Sequence, residues 1–221
     1  MSESIPDRWA DDAPPTPHQR IYAGAEWRVH LGVRVSTTIL NEVEDARALV
    51  RVSAALDVLQ VHAPQQLARI PSVLHSLTVT RLAAARGQWR RDLRAALLDR
   101  DFVLAPDTTP TGLASVIVHE LMHARLERAG FRSTDTNRAR IERICCTAER
   151  NYIHRLPNDA ERQTLQQLNA RYLAAPEAFW SGVGEAKRVA EWRARQPTWR
   201  RVLYDLGQLP RRARAALANE R

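Results

Sequence analysis

"VIVHELMHARLERAGF", residues 116–131, holds the arrangement on which the reading of the chain turns. His119 and His123 stand four apart, and Glu120 directly follows the first. A helix turns about 100° per residue, so the two histidines lie about 40° apart and one turn up, and both imidazoles can reach one ion. Glu120 sits about 100° round from His119, where its carboxylate can hold a water beside that ion. Zinc lowers the pKa of a water it binds, and a carboxylate so placed can take the proton and pass it to a leaving amine. Chance also spells such a pattern, on the flank of an ordinary helix. Against that, Leu113, Val116, Ile117 and Leu121 make this helix a core element, and burying two unpartnered histidines and a glutamate in it would be costly. The helix is expected from about Pro110 to Ala129, with Pro110 near its start, Gly130 as its stop and Arg125 and Arg128 in its last turns.

A catalytic zinc site takes three protein ligands and a water. After His123 the chain continues Ala124-Arg125-Leu126-Glu127 and has no histidine until His154, so a nearby third histidine is excluded. A carboxylate from the next helix, expected from about Asn137 to Leu156, remains. "RARIERICCTAERNYIHRLP" offers Glu142 and Glu149. Seven residues bring them to the same face but about 10 Å apart along the axis, so one ion cannot take both. Glu142 comes early in its helix and is the expected ligand. Glu149 is the alternative, or else it orients a histidine or pairs with Arg125, the kind of outer contact such sites require.

"HELMH" followed at about twenty residues by a helix-borne glutamate resembles the gluzincin branch of the zincin metallopeptidases, over about residues 76–155. The resemblance implies Zn2+ held by His119, His123 and Glu142, with Glu120 as general base and a peptide or protein as substrate. It implies an α+β fold in which a small, mostly antiparallel sheet packs on the motif helix and the following ligand helix. In zincins the strand before the motif helix commonly binds extended substrate, so residues 101–105 would take that role. Two departures stand out. Gluzincins often carry an aspartate four residues after the ligand glutamate, where this chain has Cys146. For the oxyanion-stabilising tyrosine or histidine, Tyr152 and His154 are the candidates, with plain helix residues as the alternative.

Outward from the motif, "EWRVHLGVRVS" alternates, with Trp27, Val29, Leu31, Val33 and Val35 to one side, and reads as a half-buried strand. Val43, Ala46, Leu49, Val50, Leu56 and Leu59 fall at helical spacing from about Asn41 to His62. "SLTVTRL" (76–82) reads as a strand and residues 84–98 as helix or as a hairpin broken at Gly87. "DFVLAP" (101–106) reads as a short strand stopped by proline. Residues 158–173, 176–195 and 198–206 read as helices of a basic C-terminal region (158–221), docked through Trp180, Trp192 and Trp199 on a catalytic domain of residues 21–157. Residues 1–20, with Pro14, Pro15 and Pro17, read as a disordered lead-in.

Composition narrows the class. The lead-in lacks a basic start followed by an apolar run, and no window approaches the ~18 apolar residues a membrane helix needs, so a cytoplasmic protein without a membrane partner is expected. Adjacent Cys145 and Cys146 make a strained bridge that closes no loop, so no disulfide is expected and both read as small, partly buried helix residues. Net charge is +8, but residues 187–221 hold ten basic side chains against three acidic ones. The basicity therefore belongs to the tail, where the usual meaning is a solvated face. The competing function is a non-catalytic or vestigial metal-binding helical protein whose tail contacts nucleic acid or another acidic partner. It is not favoured, since a structural site needs no base such as Glu120 and would close with a fourth protein ligand. A zincin that cleaves repressors or antitoxins is a third possibility that the residues leave open.

Overall fold

The computed structural model describes residues 26–38 and 42–197. The chain folds as α+β, with five strands in one sheet and eight α-helices among the described residues. The strands are β1 (Glu26–His30), β2 (Val33–Thr37), β3 (Ser76–Thr80), β4 (Gly87–Arg90) and β5 (Ala95–Asp99), in the order β1-β2-β3-β5-β4. The helices are α1 (Glu42–His62), α2 (Pro64–Val73), α3 (Arg100–Leu104), α4 (Pro110–Arg128), α5 (Arg138–Ile153), α6 (Asp159–Leu173), α7 (Glu177–Trp180) and α8 (Gly182–Arg195). The lead-in of residues 1–20, the helix expected at 198–206, Trp199 and most of the basic tail lie outside the described residues.

The sheet is mixed, not mostly antiparallel. β2–β3 and β3–β5 run parallel, while only the outer pairings, β1–β2 and β4–β5, are antiparallel. Parallel neighbours need crossovers, and α1 with α2 supplies the one between β2 and β3. Alternation then sorts the two faces. Val33, Val35, Leu77, Val79, Ala96 and Leu98 enter the main core beneath α1 and α4. Ser36, Thr78 and Ser76 line the other face, joined by hydroxyl contacts of 2.8 Å (Ser36–Thr78) and 3.0 Å (Ser76–Thr78).

Two expectations about strands are overturned. The alternating run 26–36 is a hairpin, because Leu31 and Gly32 adopt left-handed φ values of 50° and 75° and fold the chain back in two residues. The turn puts Trp27 opposite Ser36 and Val29 opposite Arg34, hence on the face away from the core. Trp27 and Val29 are 52% and 55% exposed, against 2% and 1% for Val33 and Val35. "DFVLA" is the helix α3, since Asp99 at the end of β5 caps it by accepting the Phe102 N–H at 3.0 Å. The role expected for residues 101–105 therefore cannot be theirs. The ambiguous stretch 84–98 is the hairpin, β4 joined to β5 through a 3-10 turn at Arg91–Leu93.

The motif helix α4 has well-defined ends. Thr109 Oγ1 accepts the Gly112 N–H at 3.0 Å, with Pro110 as first helical residue. At the other end Gly130 takes φ +90°, its N–H reaching the Glu127 carbonyl at 2.9 Å while Phe131 N–H reaches Leu126 at 2.9 Å. This pair of bonds needs a left-handed residue at Gly130. Leu113, Ile117 and Leu121 are at most 1% exposed, and burial of each such side chain contributes about 1.5–3 kcal/mol. α5 packs along α4, and α6 packs along α5. Trp180 is buried with Phe179 and Tyr172, ring centroids 4.8 and 6.0 Å away, and joins α7 to α6. Among the described residues no helix is long and apolar enough to cross a membrane.

Candidate metal centre

The α4–α5 packing brings together the side chains that the sequence singles out. His119 Nε2 and His123 Nε2 are 3.2 Å apart. Glu142 Oε2 lies 3.4 Å from the first and 3.5 Å from the second. These three atoms form a nearly equilateral triangle. A tetrahedron with edges of that length has its centre about 2.1 Å from each corner, the distance at which zinc binds imidazole nitrogen and carboxylate oxygen. The fit is also chemical. Two ring nitrogens facing each other beside a carboxylate, with side chains 14–16% exposed, are better joined by a cation than by each other's protons. Of the two carboxylates left open by the sequence, Glu142 occupies the third corner.

Glu149 takes the other side of His119, its Oε2 being 3.4 Å from Nδ1. Of its expected alternatives, the structure thus brings it to a histidine. Tyr152 and His154 stand elsewhere. The Tyr152 hydroxyl donates to the Thr111 carbonyl at 3.3 Å, two turns before His119, and burial, with the nearby Glu161 carboxylate, pushes its pKa up. His154 Nδ1 meets Gln166 Nε2 at 3.1 Å. Among the described residues no contact joins either to the three-atom cluster.

Charge in the cluster follows from packing. Burial disfavours the charged form of His123, but hydrogen bonds with Cys145 and Glu142 and the nearby Glu120 outweigh it and raise the pKa to about 10. His119 is raised as well: burial opposes it, while Cys146, Glu142 and Glu149 favour the charged ring. Glu142, opposed by its own burial, is held well below the carboxylate range by the two rings. Glu120 moves the other way. Burial raises its pKa, and the attraction of His123 and His119 offsets this only in part.

Four further residues, none of them expected as part of the site, surround the cluster. The edge strand β4 lies over Glu120, and the Trp89 backbone N–H donates to the Glu120 carboxylate. A Cβ on Gly87 would stand 2.7 Å from both Glu120 Oε1 and Val116 Cγ1, so glycine is required for this close approach. Gly87→Ala is expected to lower stability by about 1–3 kcal/mol through overpacking, read as a fall in thermal midpoint; an unchanged midpoint would mean that β4 does not sit on Glu120. Cys145 and Cys146 are free thiols, more fully buried than the sequence suggests, and they also enter the site. Donor atoms of His119, His123 and Cys145 lie within 4.8 Å of one another, as do those of His119, Cys146 and Glu149. Glu142, Cys145, Cys146 and Glu149 follow helical spacing, so one face of α5 presents carboxylate, two thiols and carboxylate to the histidines.

A separate groove of about 440 Å³, lined by residues including Met122, Arg143, Ile144 and Asn151, lies across α5 from that face. The chain matches no family model, no curated protein and no solved structure. The likeness to zincins therefore rests on the motif and its geometry.

Proposed function

We propose that the chain is a zinc-dependent peptidase of gluzincin type, with His119 Nε2, His123 Nε2 and Glu142 Oε2 holding the ion and Glu120 as general base. The observation that carries this reading is the triangle of donor atoms with edges of 3.2, 3.4 and 3.5 Å. Zinc, when bound, supplies Lewis acidity toward water and toward a carbonyl oxygen. The chain supplies the rest. Glu120 accepts a proton from the attacking water as the new C–O bond forms, and delivers it to the amine nitrogen as the C–N bond breaks. The Trp89 N–H and the close seat of Gly87 hold that carboxylate in place. The role of aligning an extended substrate passes from residues 101–105 to β4, which among the described residues has a strand neighbour on one side only.

One observation favours a second reading. Cys145 lies close enough to both histidines to act as a fourth protein ligand, and a site closed in that way would be structural. The two readings separate on metal analysis and cobalt substitution. One equivalent of zinc in the purified protein, together with a cobalt(II) derivative lacking an intense near-ultraviolet thiolate-to-metal band, is expected for the peptidase. A strong band that disappears in Cys145→Ser would establish the closed site, and a protein unable to take up zinc would sink both.

A further inference from the structure

Asn169 lies in α6, within the region that the sequence reading separates from the motif-bearing domain, and is 2% exposed. Its Nδ2 donates twice, to the Cys146 carbonyl at 3.0 Å and to Glu149 Oε2 at 3.0 Å. Both partners only accept, so the amide nitrogen must be the atom that faces them. Its Oδ1 is left buried with no partner. The Cys146 carbonyl already has a helical acceptor role within α5, whereas the bond to Glu149 comes from outside that helix. That same Glu149 oxygen is the one 3.4 Å from His119 Nδ1. The contacts run in one line: Asn169 amide, Glu149 carboxylate, His119 ring, metal-facing Nε2.

We infer that Asn169 is a positioning residue of the metal centre, holding Glu149 so that it keeps the His119 Nδ1 proton and turns Nε2 toward His123 and Glu142. The inference rests on the zinc reading above. A ligand histidine is oriented by the bond its other nitrogen makes, and here the orienting carboxylate is itself held by a third residue on another helix. The competing contact is Cys146, whose thiol also meets His119. A thiol donating to Nδ1 would turn the ring by a different bond and would leave Asn169 as a packing residue only.

The test is zinc affinity in the full chain, measured by competition with a chromophoric chelator, for Asn169→Asp in the wild-type and Glu149→Gln backgrounds. Aspartate keeps the shape and loses the donor. The expected result is a loss of about 10–100-fold in affinity with Glu149 present, shrinking to within about twofold once Glu149 is replaced. Unchanged affinity, or the same loss in both backgrounds, overturns the inference while leaving the zinc reading intact. A wild-type chain that binds no zinc overturns both. Should Asn169→Asp fail to fold, Asn169→Ser, which keeps a donor but shortens its reach, is read by the same comparison.

Discussion

Glu120→Gln is expected to retain one equivalent of zinc and to lose peptide hydrolysis by about 10²–10⁴-fold, the contribution of a positioned general base. The amide keeps the volume of the side chain and cannot take a proton from water. It can still accept the Trp89 N–H through its oxygen, so the seat beneath β4 survives. With no substrate defined, the readout is the appearance of new amino termini in a proteome-derived peptide pool, beside metal content. Loss of turnover with metal retained assigns the carboxylate to the chemistry. Unchanged turnover would remove Glu120 as base, and loss of zinc would make it part of the metal's own support.

The second large effect concerns which carboxylate holds the ion. Glu142→Ala takes away one of the three corners around the proposed ion. If the protein ligands share a binding free energy on the order of 10–16 kcal/mol, loss of one weakens zinc by about 10³-fold. Glu149→Gln should instead keep stoichiometric zinc with affinity reduced about 10–100-fold, because of the three corner residues it meets His119 alone, at the nitrogen facing away from the triangle. The reverse order, with Glu142→Ala retaining zinc and Glu149→Gln losing it, would move the third corner to Glu149 and undo the triangle argument.

What could be read from residues alone divides along a physical line. Features written within one or two turns of helix were legible: the motif, its Pro110 start and Gly130 stop, and the shared face of Glu142 and Glu149. Features that depend on a turn or a distant contact were not. "EWRVHLGVRVS" alternates equally well as one strand or as a hairpin, and only Gly32 hints at the fold-back. "DFVLA" is too short for its apolar run to separate strand from helix, and Asp99 as a cap carried the difference. Cys145 and Cys146 were legible as partly buried residues, but their approach to two histidines exists only once α5 lies on α4. Asn169 could not be found at all, since its partners are 20 and 23 residues away and no local pattern marks it.

The strand over Glu120 has a further consequence for reach. β4 runs for four residues, Gly87–Arg90, or about 13 Å of extended chain. Any polypeptide that pairs with that edge is gripped through main-chain bonds over no more than a few residues, with Trp89 already committing its own N–H to Glu120. If the chain is the peptidase proposed above, so short a grip would read little sequence, and would suit a linker, a loop or an unfolded segment better than a strand held inside a folded domain.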